Sequence, residues 1–187
     1  MSGKAHFAHG SAEEVVEYLK TYPGEKVKLV MLQFPTPYRF DATPTDGMES
    51  VVNQGNFNQQ LPIDAFSGFM VSRRLLRLSR DVLDKTDGKL LLQSNVEDVA
   101  VHMRDIAQME EFEPIPAPSH VNEAPIFEVP QRTIKWINSG GERAIGSGWS
   151  SESFLPDLGA TETEVACALN GTPVHRILMK PSVKTTT

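Results

Sequence analysis

Val27-Lys-Leu-Val-Met-Leu-Gln-Phe34-Pro35-Thr36-Pro37-Tyr38-Arg39 decides how the rest of the chain is arranged. The run up to Phe34 is apolar and has the length of a buried strand. Pro35 and Pro37 then stop it. Proline lacks the amide hydrogen that a ladder needs, so the backbone must leave the sheet at Phe34. In an open α/β sheet, ligands bind at the carboxyl ends of the strands. Thr36, Tyr38 and Arg39 are therefore expected at the mouth of a site, against the alternative of a plain proline-rich loop.

Upstream, Ser11-Ala-Glu-Glu14 reads as a capping box that opens a helix carrying Val15, Val16 and Leu19 inward. Tyr22-Pro23-Gly24 ends it and turns the chain into the strand, a helix–strand unit of the parallel α/β kind. Downstream, residues 40–66 are polar, without a periodic apolar face, and read as a long loop beside the site, a candidate substrate lid. Ser67 is expected to cap the next helix, with Val71, Leu75, Leu78 and Val82 as one apolar stripe and Thr86-Asp87-Gly88 as its end. Lys89-Leu-Leu-Leu-Gln-Ser94 is a second strand. Asn95 and Asp98 are expected to cap a third helix, with Val96, Val99, Ala100 and Met103 inward. The order helix, strand, loop, helix, strand, helix predicts a doubly wound sheet with right-handed crossovers.

The segment 111–156 is irregular by pattern. Its first part, to Pro130, is proline-rich and reads as an extended surface connection. Thr133–Ile137 reads as a short strand or a helical turn. Gly140, Gly141, Gly146 and Gly148 mark a flexible loop, since no strand, Gly-x-Gly-x-x-Gly and helix occur in that order. The tail allows two readings. Asn170-Gly171 could turn a hairpin, or a short helix from Glu162 could end at Gly171 and be followed by a strand at Val174. Thr161 with Glu164 three residues on favours the helix.

The 187 residues fit one domain, 1–187. No apolar run approaches the about 20 residues that cross a bilayer, so no membrane partner is expected. The first residues have no apolar signal core, and the lone Cys167 fits a reducing compartment, so an intracellular location is expected. The net charge of −6 argues against general nucleic-acid affinity but leaves room for a local basic patch. Arg73, Arg77 and Arg80 share one helical face and could meet RNA phosphates, or form a solvated face balanced by Asp81 and Asp84. Tyr38, Trp136 and Trp149 could stack on a base, with core packing the stronger reading for Trp136 and loop packing for Trp149. His102 and His175 have no metal-ligand company and read as structural, and no metal is expected.

Four segments, in order, resemble the tRNA (guanine-N7)-methyltransferase family. Phe34-Pro35-Thr36-Pro37-Tyr38 resembles that family's Phe-Pro-Asp-Pro-Trp/His motif after its fourth strand. Leu92-Gln93-Ser94-Asn95 with the following helix resembles its strand ending in Thr/Ser-Asp. Thr161-Glu-Thr-Glu164 resembles its Thr-x-x-Glu, and Gly171-Thr-Pro173-Val174-His-Arg176 the Gly-x-Pro-Ile/Val-x-Arg of its closing strand. The resemblance runs from about Ala5 to Lys180, with a family-atypical insertion around Thr133 to Pro156.

The resemblance implies an α/β, Rossmann-like, S-adenosylmethionine-dependent methyltransferase sheet, of which this chain would be the C-terminal portion. The family's glycine-rich first strand–turn and acidic second strand end have no counterpart in the sequence and would lie before Met1. It implies methyl transfer to N7 of a guanine in tRNA. N7 already carries a free lone pair, so the enzyme must mainly hold the base in line with the methyl group. Thr36 stands at the motif aspartate given a catalytic role, and beside the cofactor. Asn95 stands at a substrate-binding aspartate, and Arg39 beside a basic substrate-binding position. Thr161 and Glu164 match the substrate-binding pair, which makes Glu164 the leading catalytic candidate with Thr36. Ser11, or Gly10 beside it, falls near a cofactor-contacting position. Strands missing from the sheet would leave an apolar edge, so a homodimer or a partner subunit is expected. Loss of the motif aspartates leaves a second reading open, a non-catalytic RNA-binding or scaffold protein.

Overall fold

The computed structural model describes residues 9–23, 27–40, 61–117, 130–155 and 160–182. Most of the proposed lid, 40–66, and most of the proline-rich connection, 111–130, lie outside the described residues.

The chain is an α/β fold built on a mixed sheet. Its elements in order are α1 (Ala12–Leu19), β1 (Leu29–Gln33), α2 (Arg73–Asp84), β2 (Lys89–Ser94), α3 (Glu97–Met109), β3 (Phe112–Pro114), α4 (Gln131–Asn138), β4 (Trp149–Ser150), α5 (Glu162–Leu169) and β5 (His175–Pro181). The strands lie in the order β1-β2-β5-β3, with β4 also pairing β5. β1 and β2 are parallel, as the crossover through α2 requires, and β5 runs antiparallel to β2, β3 and β4.

Register sorts the two faces, because alternate residues of a strand project to opposite sides. Val30, Leu32, Leu90, Leu92, Ile177 and Met179 share one face. They pack with Leu76 and Leu83 of α2 and with Val99, Ala100, Met103 and Ile106 of α3 in one core cluster. A second cluster joins Val16 of α1 to Leu75, Leu78 and Val82 of α2, with Leu32 against it. So α1, α2 and α3 all lie on one face. Only α5, among the described helices, is tied to the other face, through Glu164 on Arg176 and Gln93. On β1 that second face is bare: Leu29 is 40% and Met31 45% exposed.

Several ends differ from the sequence expectation. α2 is capped by Ser72, whose hydroxyl accepts from the Leu75 amide, and not by Ser67; Val71 therefore precedes the helix although it is buried. Ser67 instead donates its amide to Asp64 in an Asx turn. α3 begins after Val96 without a side-chain cap. Asn95 lies before the helix, and the carboxylate of Asp98 is taken by an arginine. Phe112–Pro114 is a strand on β5, not loose connection, because Phe112 is buried against Pro181 and the α3 core. Thr133–Ile137 is helical, within α4. Trp149 is a buried strand residue rather than a loop prop. The tail is helix then strand, so the hairpin reading falls. Gly171 (φ 64°) takes the left-handed position after α5, and the Thr172 amide reaches back to the Cys167 carbonyl at 2.8 Å.

Candidate functional site

The two parallel strands end side by side, and β5 begins opposite the end of β2, with Ser94 facing His175. This end of the sheet gathers the four segments singled out above. The Phe34 amide continues the ladder by donating to the Gln93 carbonyl at 2.8 Å. Phe34 itself has φ 48°, an uncommon conformation for a bulky residue that turns the chain out of the sheet before Pro35. Thr36 then stands exposed beyond β1, and Asn95 exposed beyond β2. The Arg39 amide fastens the motif loop to Pro62 at 2.9 Å.

Below that rim lies a polar row. Gln33, Gln93, Arg176 and Ser150 are successive register partners across β1, β2, β5 and β4. Gln93 is fully buried, Arg176 7% exposed, and Glu164 of α5 5% exposed. The Thr161 hydroxyl caps α5 by accepting from the Glu164 amide at 3.2 Å. That cap places Glu164 over the row, where Arg176 donates to its Oε1 from Nη2 at 2.7 Å and from Nε at 3.1 Å. Oε2 receives a long contact, 3.5 Å, from Gln93 Nε2, and the Ser153 side chain also hydrogen-bonds the carboxylate. Burial alone would raise the Glu164 pKa, but the hydrogen bonds and charge of Arg176 overcome it, and the carboxyl lies below its ordinary value. Arg176 Nη1 donates to the Ser151 carbonyl at 2.9 Å, so the segment after β4 roofs the pair.

A second constellation was not found by sequence reasoning. Arg132 of α4 donates from Nε and Nη2 to the two oxygens of the fully buried Asp98, at 2.7 and 2.6 Å, and from Nη1 to the Tyr38 carbonyl at 2.6 Å. Its guanidinium lies 5.0 Å from the Tyr38 ring centre. Burial pushes the Tyr38 phenol upward, reinforced by the Asp98 charge. Arg143 grips Glu97, and Glu142 grips Arg104. Three ion pairs thus stitch 131–144 onto α3 and hold the motif loop beneath α4. The only sequence signal was the Glu97-Asp98 pair in the first turn of a helix, which is equally read as ordinary helix-end chemistry. His102 touches the Ala65 carbonyl at 3.3 Å among Tyr38, Phe66 and Phe69, and burial lowers its pKa, a structural setting.

The remaining candidates lie apart from the row. Ser11 caps α1, its hydroxyl accepting from the Glu14 amide and its amide donating to the Glu14 carboxylate. Arg73 and Arg77 bind Glu110, and Arg80 binds Asp81 and Glu111. The balancing carboxylates thus come mainly from the end of α3, not from Asp84. Glu110 and Glu111 precede β3, which pairs with the Pro181 end of β5, while the candidate site is at the His175 end. A seven-residue strand separates the two by about 20 Å.

Among the described residues no group of three or more His, Cys, Asp or Glu side chains could hold a metal ion, and no helix is long and apolar enough to cross a membrane. Comparison of the chain with protein-family models, with curated proteins and with solved structures gives no match. Chemically, the site offers hydroxyl and amide groups at the rim and a charge-balanced Glu164–Arg176 pair beneath. It suits hydrogen bonding to a neutral planar group better than proton abstraction, because the carboxylate is kept ionised by a neighbour already bonded to it.

Proposed function

We propose that the chain is a divergent relative of the tRNA (guanine-N7)-methyltransferases, acting with S-adenosylmethionine on a guanine of tRNA. One observation carries the reading: segments as far apart in sequence as Phe34 and Arg176 meet around Gln93 at one end of the sheet. Thr36, Arg39 and Asn95 surround the rim, and Thr161 and Glu164 lie above the polar row. Their work is to bind and orient the base, since N7 needs no proton removed. S-adenosylmethionine supplies the methyl group when bound, but the described residues do not fit it as a complete cradle. Ser11 is occupied by its own capping box, and the nearby Glu13 by Arg74, which leaves Thr36 alone.

That misfit supports a homodimer or a partner subunit. The outer edge of β1 has no strand beside it among the described residues, and its bare face carries Leu29 and Met31. A run apolar on both faces, with no proline or inward charge to protect it, is the pattern of a central strand. Arg73, Arg77 and Arg80 remain candidates for tRNA phosphates only by exchanging their carboxylate partners for them. Each such contact would steepen the salt dependence of binding by about one counterion.

The second reading, a non-catalytic RNA-binding scaffold, is favoured by the pairing of Glu164 with Arg176 and by the neutral Thr36 and Asn95. Methyl transfer from labelled S-adenosylmethionine to tRNA, measured beside tRNA affinity, separates the two. Transfer that Glu164→Gln abolishes with affinity retained supports the enzyme. Affinity without transfer, alone or with any partner that copurifies, selects the scaffold.

A further inference from the structure

The polar row contains two buried atoms without a hydrogen-bond partner, Gln33 Nε2 and Gln93 Oε1. A buried polar atom left unmatched costs about 1–3 kcal/mol, and such atoms are rare enough to need a reason. The Gln93 amide cannot simply be turned over. Its NH2 group faces the Glu164 carboxylate, and exchanging the two atoms would set oxygen against oxygen. Oε1 is therefore an acceptor with nothing to accept. Gln33 is its register partner on the neighbouring strand, about 4.8 Å away by strand spacing, and presents an unmatched donor. On the other side, Arg176 takes both its bonds to Glu164 on Oε1, while Oε2 takes the long contact from Gln93 and, as a carboxylate oxygen, has a second lone pair with which to accept.

We propose that Gln33, Gln93 and Glu164 form a guanine-reading site, a donor–acceptor–acceptor array matched to that base's hydrogen-bonding edge. The guanine edge presents O6 as an acceptor, then the N1 and N2 hydrogens as donors. Gln33 Nε2 meets O6, Gln93 Oε1 meets N1–H, and Glu164 Oε2 meets the N2 amino group. Adenine presents a donor where guanine has O6 and an acceptor where guanine has N1–H, and so opposes two of the three. Arg176 is a positioning residue: it fixes the carboxylate and balances its charge, so a neutral base can be held without burying a net charge. Gln33 is half-buried on the outermost strand, and its Nε2 is covered. Entry to Gln93 and Glu164 requires the Ser151 segment to lift from Arg176. This assignment rests on the guanine reading above and adds the residues that would make the choice of base.

The test is a calorimetric titration of the full chain with the 5′-monophosphates of guanosine, inosine and adenosine. Guanosine is expected to bind best, inosine several-fold more weakly for want of the N2 amino group, and adenosine at least tenfold more weakly. Gln93→Met keeps the shape, removes the unmatched acceptor and is expected to fold without loss of melting temperature while erasing the preference. Gln33→Leu, at a half-buried position on the outermost strand, is expected to lose discrimination against adenosine and serves if the first variant does not fold. Equal binding of guanosine and adenosine monophosphates, no binding at millimolar nucleotide, or a preference that survives Gln93→Met overturns the assignment. Methyl transfer is scored separately. Guanosine preference without transfer defeats the enzyme reading and leaves the site; transfer without guanosine preference defeats the site alone.

Discussion

Replacing Arg176 with methionine should reverse the pH dependence of stability as well as lower it. In the native chain Glu164 lies below its ordinary pKa of 4.5. A carboxyl depressed on folding contributes its full stability above the unfolded value and loses it as pH falls through the folded one. The variant removes the guanidinium but keeps the burial, so burial becomes the dominant influence and raises the pKa. The folded state then takes up a proton before the unfolded chain does, and stability recovers as pH falls from 7 toward 4.5. Breaking a pair this buried costs about 3–5 kcal/mol at neutral pH, which in a domain of this size lowers the melting temperature by about 6–20 °C. Urea denaturation followed by circular dichroism at a series of pH values measures both effects. Glu164→Gln with Arg176→Met should regain part of the loss, since no unpaired charge remains. A loss under ~1 kcal/mol, or one constant between pH 7 and 4.5, would refute the claim that the two groups form a single buried pair.

Three further outcomes follow from the same geometry. Gly171→Ala meets nothing within 4 Å, so its cost is purely that of a left-handed backbone at φ 64°, about 1–2 kcal/mol in a thermal melt; an unchanged melt would mean the turn after α5 is not as described. Arg132→Ala should cost about 3–5 kcal/mol by leaving the buried Asp98 unpaired, and Arg132→Lys should not restore it, because lysine cannot span both oxygens; full recovery with lysine in chemical denaturation would refute the bidentate clamp. Met31→Lys places a charge on the bare face of β1, and sedimentation equilibrium should show an assembly in the native chain that the variant disperses; a native monomer at all concentrations would refute pairing through that edge.

The parts legible in the sequence were those governed by local chemistry. The apolar run before Pro35 is β1, Lys89–Ser94 is β2 to the residue, and the Ser11 and Thr161 caps are as read. The faces of the sheet were not legible. Helix periodicity shows which side of a helix is buried but not which side of a sheet it covers, so the grouping of α1, α2 and α3 on one face and α5 on the other is visible only in the structure. Ser67 and Ser72 are equally good caps on pattern, and the choice fell to Ser72 because the turn at Asp64 claims the amides of Phe66 and Ser67. Phe112–Pro114 escaped notice because a strand of this length carries no period. The Arg132–Asp98 clamp joins residues far apart in the chain, and neither partner advertises the other. At the site, rim residues were placed at strand ends by proline and pattern, while Gln33 and Gln93 passed as ordinary strand residues. Their distinction, an unmatched buried amide each, exists only after the strands are in register.

The same pairing bears on how Thr161, Glu164, Gly171 and Arg176 work together. Thr161 fixes the first turn of α5 and with it the direction of Glu164. Gly171 reverses the chain after eight helical residues. β5 then enters with Arg176 opposite Gln93, beneath the carboxylate. The two short motifs are one device, a cap and a turn that bring an acid and a base together across the sheet. An isolated carboxylate at that place would attract a cation or take up a proton. Bound to Arg176 through one oxygen, it stays ionised, contributes no net charge, and turns its other oxygen toward Gln93. Such a charge-balanced pair suits hydrogen bonding to a neutral group, read by the pattern of its hydrogens, better than binding of a lone charge. This is the property that the guanine reading and the scaffold reading share, and that general affinity for a polyanion does not need.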